Sequence, residues 1–76
     1  MAGDEWRMAR VIPTVDTGGR RTEIRLGMVE REDGLEPALR VGKGPTVLLP
    51  FESVGPKLLT ATQRTLEAWW RMQGGR

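Results

Sequence analysis

From Arg20 to Arg31 the side chains alternate without a break, with Thr22, Ile24, Leu26 and Met28 on one parity and Arg21, Glu23, Arg25, Gly27 and Val29 on the other. Successive strand residues point to opposite faces, so this predicts a β-strand with one face in a core and the other in water. The stretch Trp6 to Val15 alternates less regularly. Trp6, Met8, Arg10 and Ile12 share one parity, Arg7, Ala9 and Val11 the other, and Pro13 removes a ladder donor near the end. An edge or bulged first strand is expected, joined to the second by a hairpin at Asp16-Thr17-Gly18-Gly19.

Glu32-Asp33-Gly34 supplies the next turn, and Pro37 to Val41 reads as a short third strand with Leu39 and Val41 opposite Ala38 and Arg40. After Gly42-Lys43-Gly44-Pro45, the run Thr46-Val47-Leu48-Leu49 reads as a fourth, well-buried strand. Pro50 ends it. Ser53 or Gly55 then opens a helix with Pro56 in its first turn, and Leu58, Leu59, Thr62, Leu66, Trp69 and Trp70 recur at three- and four-residue spacing. Gln63, Arg64, Glu67 and Arg71 fall mainly on the other side, and Gly74-Gly75 ends the helix. The expected fold is α+β, ββββα: a four-stranded antiparallel sheet within about residues 5–50, then one amphipathic helix over about 54–73. No repeat or linker divides residues 1–76 into more than one domain.

A chain of 76 residues buries a thin core, roughly 60–65% of its surface, and such domains usually need reinforcement. Cysteine and histidine are both absent, which removes disulfides and Cys/His metal sites; no metal or other cofactor is expected. Oligomerisation is the reinforcement left. Trp69 and Trp70 lie about 100° apart on a helix, so one is expected to seal the sheet while the other extends the apolar stripe. That surplus favours a homodimer through the C-terminal helix, with Leu59, Leu66, Trp69 and Trp70 at the contact.

The net charge is only +2, but arginine dominates over the two lysines, Lys43 and Lys57, which gives permanent charge suited to phosphate. Residues 1–44 carry eight basic and eight acidic groups, so a basic surface there requires sorting of charges between faces. No apolar run approaches the length of a membrane span, and Met1-Ala2-Gly3-Asp4-Glu5 lacks the basic-then-apolar start of a signal peptide; a cytoplasmic protein is expected.

With no His, Cys or Tyr and a single serine, Ser53, acid–base and nucleophilic chemistry would rest on carboxylates, lysines, serine or threonine. The carboxylates sit in turns or alternate with arginines, in the manner of a solvated surface, so no catalytic residues and no enzyme are expected. Gly42-Lys43-Gly44-Pro45-Thr46 lacks the longer cradle, the Lys-Ser/Thr pair and the following helix of a P-loop. It reads as a turn that carries Lys43 at its tip.

Binding chemistry is better represented. Arg21 and Arg25 share a strand face roughly 13 Å apart, close to the span of two extended nucleotides. Arg7 and Arg40 could join them from neighbouring strands, or all could pair with Glu23, Glu30 or Glu36. Trp6, beside Arg7 and Arg10, offers either a stacking surface for a base or a plug for the core.

The element order, the run Gly42-Lys43-Gly44-Pro45-Thr46-Val47-Leu48-Leu49, the joint Pro50-Phe51-Glu52 and the Leu58-Leu59 helix together resemble the PC4-like transcriptional coactivators and their bacterial and phage relatives. The PUR-α and Whirly families share a similar plan, and Gly19-Arg20-Arg21-Thr22 resembles the strand entry of bacterial PUR-like proteins. The likeness covers residues 6–72 in architecture and about 42–59 in local sequence. It implies a curved sheet with the helix on one side, a homodimer packed through helices, and single-stranded DNA or RNA bound across the strands. Arg21, Arg25, Arg40 and Lys43 match the family's basic positions by location. The many acidic neighbours and few strand aromatics depart from its pattern. The function expected is a transcription, replication or repair accessory or regulator. The alternative is a protein–protein interaction module on the same scaffold, a phage or host regulatory factor that binds a polymerase or other transcription or replication protein.

Overall fold

The computed structural model describes residues 4–74 and contains β1 (Trp6–Val15), β2 (Arg21–Arg31), β3 (Gly34–Val41), β4 (Val47–Leu48) and α1 (Val54–Met72). The strands form one antiparallel sheet in the order β1-β2-β3-β4, followed by the single helix, which is the expected ββββα plan. The β1–β2 hairpin closes where predicted. Asp16 Oδ1 accepts from the backbone N–H groups of Gly18 and Arg20, both at 2.9 Å, and Gly19 takes a left-handed φ of 82°.

β3 begins three residues earlier than expected, because Leu35 and Glu36 continue the ladder to Glu30 and Val29. β4 is shorter than expected and not well buried: Val47 is exposed, and only the following Leu49, whose N–H donates to the Pro37 carbonyl, is closed off.

One departure changes what every β1 side chain faces. Arg7 pairs with Met28 and Arg10 with Leu26, so Met8 and Ala9 together oppose Gly27 in a β-bulge, with Met8 at φ 53°. Gly27 permits it: a Cβ there would lie 2.7 Å from the Ala9 Cα. The bulge inverts the parity of the strand. Trp6 therefore shares a face with Val11 and Val15, while Arg7 shares the opposite face with Arg10 and Ile12, a grouping unlike that given by counting in twos.

The sheet thus has two unlike faces. Ile12, Ile24, Leu26, Met28, Leu39 and Val41 form an apolar face across β1, β2 and β3. The other carries Trp6, Arg21, Arg25 and Arg40 together with Glu23 and Glu36, with Val29 and Ala38 buried between them. Among the described residues the buried apolar set is Val29, Ala38 and Leu49, a very small core.

The helix does not cover the sheet. It has no buried residue, and Trp69 and Trp70 are 56% and 49% exposed, so neither seals the fold as expected. Ser53 occupies the N-cap without a side-chain cap bond, Pro56 falls in the first turn, and Gly74 follows the last turn at φ 98°. Gly75, the second residue of the expected stop signal, lies outside the described residues. At the joint the N–H groups of Ser53 and Gly55 both donate to the Pro50 carbonyl at 3.1 and 3.0 Å, and the helix that follows makes no substantial packing contact with any strand.

Candidate nucleic-acid interface

Register gathers the site. Arg25 and Arg40 are direct cross-strand partners, and Arg21 lies four residues before Arg25 on the same face. Trp6 is the partner of Val29, two positions beyond Gly27 on that face, and the Arg25 guanidinium carbon sits 5.7 Å from the centre of its ring. That is within cation–π range. Trp6 therefore does two things: its body shields Val29 from water, and its ring holds the Arg25 head in place.

Two arginines directly opposite each other repel, and like-charged cross-strand pairs are unfavourable unless something compensates. Arg25 has partial compensation from Glu23, 3.5 Å away on its own strand, and from Trp6. Arg40 and Arg21 have no ion pair among the described residues. The Trp6 indole N–H and the Nε groups of Arg25 and Arg40 are buried without a hydrogen-bond partner in the chain. An unmade bond of this kind costs about 1–3 kcal/mol. These three nitrogens are closed off from solvent, so what the face offers a ligand is the exposed guanidinium ends of Arg21, Arg25 and Arg40.

At the end of the same face, where β2 begins and β3 ends, Arg21, Thr22, Glu23, Arg40, Gly42 and Lys43 line an open groove of about 530 Å³. The Gly42 N–H donates to the Glu23 carbonyl at 2.8 Å and anchors the loop that carries Lys43 there. The groove gathers three cations and one carboxylate. Its shallow, open shape suits a chain lying across it better than a small molecule enclosed by it.

Of the residues singled out from the sequence, Trp6, Arg21, Arg25, Arg40 and Lys43 come together. Arg7 does not: its guanidinium is on the apolar face, hydrogen-bonded to Glu30 and 3.6 Å from Glu5. Sequence reasoning missed Val11 and Val15, which the inverted parity of β1 brings to the arginine face opposite Arg25 and Arg21. The only hint was the imperfect alternation of that segment. Leu59, Leu66, Trp69 and Trp70, expected at a dimer contact, are all exposed on the helix.

Among the described residues no cluster of three or more Asp or Glu side chains could hold a metal ion, and no helix is long and apolar enough to cross a membrane. Fold and surface together define a small ββββα protein with one sheet face that carries Trp6, Arg21, Arg25 and Arg40 beside Glu23 and Glu36, and another whose aliphatic centre is flanked by Arg7, Arg10 and Glu30. No protein-family model, curated protein or solved structure matches the chain.

Proposed function

We propose that this chain binds single-stranded nucleic acid across the arginine face, and acts by binding, not catalysis, as a cytoplasmic accessory or regulator of transcription, replication or repair. The observation that carries this reading is the convergence of Arg21, Arg25 and Arg40 with Trp6 on one face, Arg25 and Arg40 being direct cross-strand partners. Guanidinium groups match phosphate oxygens, and the part of the Trp6 ring left exposed suits an unstacked base. Val11 and Val15 add apolar flanks along β1. A duplex keeps its base faces stacked inside and offers the Trp6 ring nothing to stack on, so single strands are the preferred ligand. The likeness of the Gly42–Leu49 segment to the PC4-like coactivators points the same way.

Four phosphate contacts, from Arg21, Arg25, Arg40 and Lys43, give a log–log salt slope of about −2.8 for a single strand, or roughly a 50-fold loss of affinity between 50 and 200 mM salt. Fluorescence anisotropy with labelled oligo-dT and with a duplex tests this. Binding should favour the single strand and weaken strongly in the double variant Arg25→Gln, Arg40→Gln. No binding at low salt, or an unaltered affinity in that variant, would remove the proposal.

The uncovered apolar helix supports a second reading, a module that binds a transcription or replication protein. A defined partner retained after nuclease treatment, and lost in Trp70→Ala, would favour it over the first.

A further inference from the structure

The groove at the end of the arginine face holds more positive charge than a passing strand neutralises. Arg21 enters it from β2, Arg40 from β3 and Lys43 from the turn that follows, and none of the three has an ion pair among the described residues. Glu23 is the one acid in the lining, and Arg25, which lies outside the lining, stands 3.5 Å from its carboxylate. Pairing within the chain therefore leaves all three cations of the groove unmatched.

Backbone geometry holds Lys43 at this place. The Gly42 N–H donates to the Glu23 carbonyl at 2.8 Å and the Gly44 N–H to the Val41 carbonyl at 3.0 Å. Gly42 takes a left-handed φ of 56°, and a Cβ there would stand 2.8 Å from the Thr22 hydroxyl oxygen, so glycine lets the turn close onto β2. The sheet face also stops here, because β2 begins at Arg21 and β3 ends at Val41. Arg25, whose guanidinium lies against the Trp6 ring, is about 13 Å back along β2 from Arg21, or about two extended nucleotides. A strand with one base on Trp6 thus reaches the groove at the edge of the face.

We propose that the groove of Arg21, Arg40 and Lys43 seats the phosphorylated end of a nucleic-acid strand, a terminal phosphomonoester. An internal phosphodiester brings a single negative charge. A terminal phosphomonoester carries about −1.5 to −2 at neutral pH and presents three acceptor oxygens, a closer match to three cations that arrive from three directions. The guanidinium groups offer paired donors and Lys43 a point charge at the loop tip. This inference rests on single-strand binding across the arginine face and adds where the strand ends.

Competition against an internally labelled oligo-dT tests it, with unlabelled hexathymidylate carrying a 5′-phosphate, a 3′-phosphate or hydroxyls at both ends. One phosphorylated end should bind about tenfold more tightly than the hydroxyl-ended strand, the worth of one added charge-assisted hydrogen bond. Lys43→Gln should remove most of that gain, and Lys57→Gln, on the helix and outside the groove, should retain it. Equal affinity of the three strands, or a gain that survives Lys43→Gln, overturns the proposal. Thymidine monophosphate competing as well as the phosphorylated strand would assign the groove to free nucleotides and overturn it too. The hydroxyl-ended strand separates the two failures. If it binds and neither phosphate helps, the seat falls and single-strand binding stands; if no strand binds, both fall.

Discussion

Gly27→Ala tests the bulge that sorts the β1 side chains. The new methyl carbon would stand 2.7 Å from the Ala9 Cα, 3.1 Å from the Arg7 carbonyl oxygen and 3.2 Å from the Ala9 Cβ. Two of these three neighbours are backbone, so no rotamer change relieves them. Restoring ordinary contact requires β1 to move by at least about 0.7 Å. β1 is an edge strand held by β2 alone, which lets it move but strains its ladder on both sides of Gly27. Overpacking of this kind costs about 1–3 kcal/mol, offset by about 0.5–1 kcal/mol from the lower entropy of alanine in the unfolded chain. A net loss of about 1–2 kcal/mol should lower Tm by about 5–15 °C for a chain of this size.

Thermal unfolding followed by circular dichroism, at one fixed protein concentration so that association contributes equally, measures the difference. Adding Ala9→Gly should recover only a small part of it, because the closest contact is to the Cα. Equal or higher stability of Gly27→Ala would refute the close approach, and with it the inverted parity that places Trp6 beside Arg25. Full recovery by Ala9→Gly would assign the clash to the methyl group instead.

The remaining expectations concern the turn, the ion pairs and the helix. Asp16→Ala removes two hydrogen bonds to backbone N–H groups in an exposed turn and should cost about 1 kcal/mol in chemical denaturation. Arg7→Gln breaks a surface pair with Glu30 on the apolar face; it should change stability by under about 1 kcal/mol and oligo-dT affinity by less than about twofold. Arg40→Gln removes an unpaired cation from the binding face and should reduce the salt slope by about 0.7 in anisotropy titrations. The homodimer expected through the helix stripe predicts that tryptophan emission shifts to the blue with rising protein concentration and that Trp69→Ala diminishes the shift; emission independent of concentration would count against that contact.

Much of this protein is legible in its sequence because two periodicities do most of the work. The unbroken alternation of Arg21–Arg31 assigns Arg21 and Arg25 to one face and Ile24, Leu26 and Met28 to the other, and the register of β3 adds Arg40 and Leu39 accordingly. Asp16 and the glycines after it mark the hairpin, and the three- and four-residue spacing marks the helix. All of these are local properties of the chain, set by backbone geometry within a few residues.

Two things were decided only by the tertiary structure. The bulge at Met8 and Ala9 depends on the space left by Gly27, eighteen residues away, and a single extra residue reverses the faces of everything on one side of it. It moves Arg7 out of the binding surface and Val11 and Val15 into it. The helix is the second case. Its stripe tells from sequence that some apolar surface must cover it, but amphipathicity carries no address. Only the tertiary structure shows that the helix makes no substantial contact with the chain's own strands, so its tryptophans remain uncovered within the single chain.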